Sequence, residues 1–304
     1  MKYGMLVVME GGVTMEWTHT ITGPYNFNQA LKRLKIDPLL TLNVVEETLT
    51  LPIWVEDNPV TVTVKQLGTF EEPMFHIQVT DYEKVTKQAI TEKLTHLFHW
   101  DTPLAAIADF FEKTELAPLF QQYRGTPFVC DSQLYGSLMK TIIHQQLNMA
   151  FAYTLTERFV KTFGFQHEGA WFYPSPEKVA NLESAQLREL QFSQRKAEYV
   201  IDTSRMIAEG DLNLDELGQL PNEEVIETLV KIRGIGPWTA ENFLMFGLGR
   251  MDLFPIQDIG IQNAMKKFYN WEAKPLHAVM LEKSEAWKPY RTYASLYLWE
   301  SIET

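Results

Sequence analysis

Two parts of one stretch have residue types that could do chemistry. The run IRGIGPWTAENF, Ile232–Phe243, places Gly234 and Gly236 on either side of Ile235 and follows them with Pro237. About twenty residues past Trp238, the run FPIQD ends in Asp258, just after Pro255. Glycine accepts the positive φ of a tight turn, and proline suits the first position of a helix, where its missing N–H costs nothing. With Gly236 as cap and no side chains at 234 and 236, the backbone N–H groups there and at Thr239 can approach an anion closely. The positive end of the following helix dipole points the same way. The turn therefore reads as a phosphate site that needs almost no Lys or Arg, although a tight turn packed inside a helical bundle would use the same residues. Asp258 precedes renewed helical spacing and is a natural N-cap. Beside a cleft, a carboxylate in that position can also stabilise a cationic sugar transition state or orient an attacking water.

These groups need elements to hold them. Val225, Ile226, Leu229 and Val230 give the helix that stops at Gly234, with Asn222 as expected cap and Glu223 and Glu224 in its first turn. RKAEYVIDTSRMIAEG is a further amphipathic helix. SQLYGSLMKTIIHQQLNMAFAYTLTERFVKTFG reads as helical from a capping Ser132 to Gly164, with Leu134, Leu138, Ile142 and Ile143 on its apolar face. DTPLAAIADFF offers Asp101 or Thr102 as cap, with Pro103 in the first turn. The earlier part of the chain is different. PVTVTVK and FHIQV alternate Val60, Val62, Val64 and Phe75, Ile77, Val79 with polar residues, the pattern of half-buried strands, and NFNQALKRLKI reads as a helix with Leu31 and Leu34 on one face. The fold class expected is α+β: an N-terminal antiparallel sheet with helix, then a mostly helical body.

The 304 residues suffice for two or three compact domains, and 45% hydrophobic content is ordinary for a globular protein. No apolar run approaches the roughly eighteen residues of a membrane span, and Met5–Met9 before Glu10 is too short for a signal-peptide core. The single cysteine, Cys130, excludes internal disulfides and a four-cysteine cluster; it reads as a core residue in a reducing, cytoplasmic protein. The net charge of −12 argues against a general nucleic-acid binder, so DNA binding would have to rest on a specific site. His144, His167 and His277 lack metal-ligand spacing and read as structural.

IRGIGPWTAENFLMFGLGRMDLFPIQDIG as a whole resembles the helix-hairpin-helix, glycine-proline loop and aspartate of the HhH-GPD DNA glycosylase superfamily. IIHQQLNMAFA, LQFSQRKAEYV and WKPYRTYASLYLW are similar to further segments of its 3-methyladenine DNA glycosylase II (AlkA-like) branch, which also carries an N-terminal α+β domain. The resemblance spans nearly the whole chain. It implies an N-terminal domain over 1–88, one helical subdomain over 89–133 plus 251–304, and a second over 134–250 that contains the hairpin at about 225–246. It also implies roles. Asp258 would be the catalytic carboxylate. Gly234, Gly236 and Thr239 would bind a DNA phosphate. Trp238 and Trp299 would wall the base pocket, with Tyr293 and Tyr297 near it. Gln145, Gln146 and Leu147 would form the loop that enters the duplex. The carbonyls of Val230, Ile232 and Gly234 would hold a Na+ or K+ ion.

Two departures narrow the chemistry. Bifunctional relatives carry a lysine where this chain has Trp238, so no Schiff base and no lyase step are expected. Relatives with an iron–sulfur cluster carry four cysteines that this chain lacks, so no cofactor beyond the hairpin ion is expected. Asn242 stands where some relatives have an aromatic residue, which bears on pocket shape. The expectation is a monomeric, monofunctional enzyme that excises alkylated purines, such as 3-methyladenine and 7-methylguanine, from double-stranded DNA, with no membrane role. Two other readings stay open on sequence alone: a non-catalytic module for damaged DNA, and a glycosylase for oxidised or mismatched bases.

Overall fold

The computed structural model describes residues 6–9, 12–80 and 85–303; residues 1–5, 10 and 11, part of the opening stretch weighed as a signal core, lie outside the described residues. Six strands, β1 (Leu6–Met9), β2 (Gly12–Thr20), β3 (Thr41–Asn43), β4 (Thr48–Val55), β5 (Asn58–Gln66) and β6 (Met74–Thr80), form one antiparallel sheet in the order β1-β2-β6-β5-β4-β3. Both runs of alternating residues are central strands of this sheet. Val62 faces Val79, Val64 faces Ile77, and all six alternating apolar residues of β5 and β6 are buried. Burying each such side chain is worth about 1.5–3 kcal/mol, and because the period is two, the polar partners emerge on the other face. The helix Phe27–Leu34, capped by Asn26 onto Gln29 N, sets Phe27 edge-on against Phe75 and buries Ala30 and Leu31. The Tyr25 hydroxyl donates to the Phe98 carbonyl at 2.8 Å, which ties the sheet domain to the first helix of the body, Lys87–Phe98.

The body is helical except for a two-stranded ribbon, Phe165–His167 with Ala170–Phe172, whose Phe165 and Phe172 meet Trp54 of β4. Three expected caps move. Pro103, not Asp101 or Thr102, is the N-cap of Leu104–Phe111, and Pro221, not Asn222, caps Asn222–Leu229. Gln133, not Ser132, caps Leu134–His144. The long helical run also divides. Leu134–His144 ends at an extended Gln145 and a left-handed Gln146 (φ 57°), and Asn148 then caps Met149–Phe163 through Phe151 N at 3.0 Å. The break is held by tertiary partners, Lys196 and the hairpin, together with the local Asn148 cap.

Helix Asn222–Leu229, the turn through Gly234, and helix Pro237–Asn242 form the hairpin, with Gly236 as cap and Pro237 at the first helical position as expected. A π-helical turn, Phe243–Gly247, continues it. The loop after that turn is fastened on both sides. Arg250 donates to the Gly218 and Leu220 carbonyls. Arg291 forms a bidentate pair with Asp252, at 2.6 and 3.0 Å. Thr292, one residue on, donates to the Arg250 carbonyl and accepts from Leu253 N. These bonds fix Asp258, the N-cap of Ile259–Phe268, relative to the terminal helix Arg291–Glu300. No helix among the described residues is long and apolar enough to cross a membrane.

Candidate active site at the helical cleft

Asp258 is surrounded by donors. Its Oδ1 accepts from Ile261 N at 2.9 Å and from the Trp299 indole at 3.0 Å; its Oδ2 accepts from the Trp238 indole at 2.9 Å. The first bond is the helix cap; the other two join elements that are far apart in the chain. The close approach of Trp299 depends on Gly260, where an added Cβ would lie 2.9 Å from Asp258 Oδ1 and 3.0 Å from the Trp299 indole nitrogen. A carboxylate oxygen has room for about two in-plane hydrogen bonds. Oδ1 is thus filled, and Oδ2 keeps an open acceptor position.

The hairpin faces the same space. Gly234 sits at φ 92° with the Tyr199 ring against it, so that a Cβ there would meet Tyr199 Cγ at 2.2 Å. A Cβ on Gly236 would meet nothing within 4 Å. Among the described residues no acceptor takes the N–H groups of Gly236, Trp238 and Thr239, which are the orphan donors of a helix start. The Thr239 side chain is buried, and its hydroxyl accepts from Gln145 Nε2 at 2.7 Å; the same amide donates to the Gly234 carbonyl at 2.8 Å. Gln145 is therefore a strut between its own loop and the hairpin. Leu147 is half-buried and packs back on the core, while Gln146 is exposed at the tip of the loop.

Gln145–Leu147, Gly234, Gly236, Trp238, Thr239, Asp258 and Trp299 line one cleft of about 1000 Å³. Tyr293 and Tyr297 do not. Both are fully buried behind it: Tyr293 meets the His99 ring through its hydroxyl at 3.3 Å, and Tyr297 stacks on Phe120 at 3.8 Å with its hydroxyl on the Thr126 carbonyl. The reason is helical phase. Positions 293 and 297 share one face of the terminal helix, and that face is turned into the core, whereas Trp299 lies on another. Of the carbonyls expected to hold a cation, two also accept a hydrogen bond, which leaves each a second lone pair. Ile232 O accepts from Ile235 N at 3.0 Å, and Gly234 O from Gln145. Among the described residues there is no cluster of three or more His, Cys, Asp or Glu suited to a metal.

Sequence reasoning missed three supporting residues, Phe246, Lys196 and Glu241, while Asn242, expected to bear on pocket shape, does line the cleft. Phe246, aimed by the π-helical turn, lines the cleft and stacks on Trp299 with ring centres 6.0 Å apart; a π turn adds one residue per turn and so re-aims the side chains beyond it. Asn242 lines the cleft while donating to the Trp238 carbonyl at 2.7 Å. Lys196 is buried and donates to the Ile142 and Gln145 carbonyls, capping the end of Leu134–His144; burial pulls its ammonium down to about 8. A lysine beside Ala197 and Val200 on the apolar face was the signal that could have found it. Glu241 has a buried Oε2 with no hydrogen-bond partner; burial first, then the charge of Asp258, pushes its carboxyl up to about 7 against the opposing pull of Arg291. His144, bonded to Thr156, is held neutral, burial lowering it to about 3. Cys130 is buried, and burial pushes its thiol far up, as suits an inert core residue.

The family model for HhH-GPD superfamily base excision DNA repair protein matches residues 139–289, from within the first cleft helix to just before the terminal one. The Bacillus subtilis (strain 168) protein YfjP, which carries a provisional DNA-3-methyladenine glycosylase name, is 49% identical over 286 residues, 93% of this chain and 98% of its own length. The solved 3-methyladenine DNA-glycosylase from Archaeoglobus fulgidus shares the fold with a TM-score of 0.81 at 22% identity, over 93% of this chain and 97% of that one. A Schizosaccharomyces pombe 3-methyladenine DNA glycosylase, solved in complex with abasic DNA, aligns with 64% of this chain and 95% of its own at 28% identity and a TM-score of 0.58. The chain belongs to the HhH-GPD superfamily of base excision DNA repair proteins, on its DNA-3-methyladenine glycosylase branch.

Proposed function

We propose that this chain excises alkylated purines of the 3-methyladenine and 7-methylguanine type from double-stranded DNA, as a monomeric, monofunctional glycosylase of a reducing cytoplasm. The observation that carries the reading is the Asp258 carboxylate, gripped by the indoles of Trp238 and Trp299 on one cleft with the open N–H groups of the hairpin.

The hairpin N–H groups at Gly236, Trp238 and Thr239 take a phosphate of the lesion strand, with the helix dipole behind them. Gln146, exposed at the tip of its loop, fills the gap left in the duplex and offsets part of the unstacking cost of a few kcal/mol. The flipped base enters against Trp238, Trp299 and Phe246, aromatic faces that attract a purine carrying positive charge. The bond from C1′ to the base nitrogen then breaks. Its electron pair leaves with the base and neutralises it, so alkylation has already made the leaving group and no general acid is required. Asp258 meets the positive charge that develops on the sugar. Its Oδ2, with one acceptor position open, can receive a hydrogen bond from the water that adds to C1′ and take the proton released. Trp238 occupies the hairpin position from which a lysine would form a Schiff base, so the product is an intact strand with an abasic site.

The test is base release from methylated duplex DNA, with products separated by chromatography and strand nicking assayed without added alkali. Wild type is expected to release 3-methyladenine without nicking. Asp258→Asn is expected to lose release by orders of magnitude, on the scale of about 10²–10³ for removal of a transition-state electrostatic partner, while still binding DNA. Undiminished release by Asp258→Asn would remove Asp258 from the mechanism; binding without any release by wild type would leave the fold and remove the enzyme.

A further inference from the structure

This inference rests on the reading of the cleft as a base pocket. The pocket walls are aromatic, but part of its lining is charged: Arg33, from the last turn of the N-terminal helix Phe27–Leu34, and Lys140 from Leu134–His144. A bare cation there would repel a positively charged base. Neither is bare. Arg33 Nη1 donates to Glu300 Oε1 and to Glu303 Oε2, each at 2.9 Å, and Lys140 pairs with Asp131. Glu300 sits directly after Trp299 in the chain and its side chain is only 2% exposed. One guanidinium between two carboxylates leaves this corner with more negative than positive groups, a setting that tolerates a cationic lesion.

The pairing also leaves donors over. A guanidinium carries five N–H groups in a rigid planar fork. The two carboxylates use both hydrogens of Nη1. Nε–H and the two Nη2 hydrogens have no acceptor among the described residues, and the side chain is 21% exposed. Where indole and phenyl rings take the faces of a flipped purine, its edge is left for polar groups. Purines with a 6-oxo group present an acceptor, O6, on that edge; 6-amino purines present a donor. At position 6, a fork that can only donate pairs with the first and meets a like donor in the second.

We propose that Arg33 is a specificity-determining residue that donates to O6 of the flipped base and favours alkylated 6-oxopurines, the 7-methylguanine class, over alkylated 6-aminopurines, the 3-methyladenine class. The sheet domain thereby supplies part of the pocket, and Glu300 and Glu303 position the guanidinium and balance its charge.

The experiment tracks both products from one methylated duplex in the same tube under single-turnover conditions, for wild type, Arg33→Lys and Arg33→Gln, after thermal melts of all three. Release of 7-methylguanine is expected to fall roughly tenfold or more in Arg33→Gln, the scale of one lost base-edge contact, with 3-methyladenine release changed less than about twofold. Arg33→Lys, which keeps a cation opposite buried Glu300 but has no fork, is expected to fall between. Because 3-methyladenine reports on folding and on DNA binding within each reaction, a proportional fall of both products would assign Arg33 to stability or to a phosphate and overturn the proposal. An unchanged ratio would overturn it equally. Release of neither base by wild type would end the reading of the cleft, and this proposal with it, which is a different result from a lost ratio.

Discussion

At the scale of single residues, adjacent glutamines do different work. Gln145 makes two hydrogen bonds into the hairpin, and Gln146 makes none of these and projects outward. At about 1 kcal/mol net for each hydrogen bond, Gln145→Ala is expected to lower stability by roughly 1–3 kcal/mol and to weaken DNA binding as the hairpin loosens. Gln146→Ala should unfold like wild type and lose base release. Urea melts beside single-turnover release separate the two; equal stability losses would show that Gln145 is no strut. Glu241 supplies a pH dependence. Its carboxyl is pushed up from 4.5 to about 7, chiefly by burial, so the folded state holds this proton more tightly than the unfolded chain. That contribution to stability is complete below about pH 4.5 and is lost as pH rises through about 7; above that, a buried carboxylate whose Oε2 lacks a hydrogen bond is a standing cost. Glu241→Gln is therefore expected to melt roughly 1–3 °C above wild type at pH 8 and level with it at pH 4. The same difference at both pH values would mean that Glu241 does not titrate across this range.

At the scale of elements, the hairpin puts two glycines to separate uses. Gly234 is required by the fold: its φ is 92° and a Cβ would overlap Tyr199. Gly236 has an ordinary extended backbone and open space where a Cβ would be, so its lack of a side chain matters only to whatever approaches the N–H groups. Gly234→Ala is expected to cost about 1–3 kcal/mol of stability through backbone strain alone, and more from the overlap. Gly236→Ala should keep stability within about 1 kcal/mol, in line with a surface change that adds no strain, while weakening binding to duplex DNA. Anisotropy titrations beside denaturant melts give both quantities, and full DNA affinity in Gly236→Ala would end the phosphate-turn assignment. The break at Gln145–Asn148 belongs to this scale as well. Lys196 and the hairpin hold the Gln145 carbonyl and side chain, while Asn148, within the run itself, caps the helix that restarts.

For the whole molecule, the charge of −12 and the proposed DNA partner fit together because the proposed phosphate site is made of backbone donors. Arg233, in the hairpin turn, is itself paired with Glu198 at 2.6 Å. Backbone N–H groups release no counterion as a lysine or arginine would, and each phosphate neutralised by a side-chain cation adds about −0.9 to the slope of log K against log salt. Binding is expected to show a slope shallower than about −4 between 50 and 200 mM salt, measured by anisotropy on one abasic duplex. A slope near −10 would require a broad basic footprint.

Sequence alone determined the features that depend on neighbours in the chain. Period-two runs in β5 and β6, glycines at 234 and 236, Pro237 at a helix start and Asp258 as a cap are local rules, and each element stands where those rules put it. The family was legible in the same stretch. Only the tertiary structure decided which faces meet. The terminal helix could have turned Tyr293 and Tyr297 or Trp299 toward Asp258, and packing on Phe120 and His99 settled it for Trp299. Arg33, more than two hundred residues from Asp258 in sequence, enters the cleft because the sheet domain docks through Tyr25 and Glu300. Such contacts are decided by burial and by partners remote in the chain, and a periodic pattern carries no record of either.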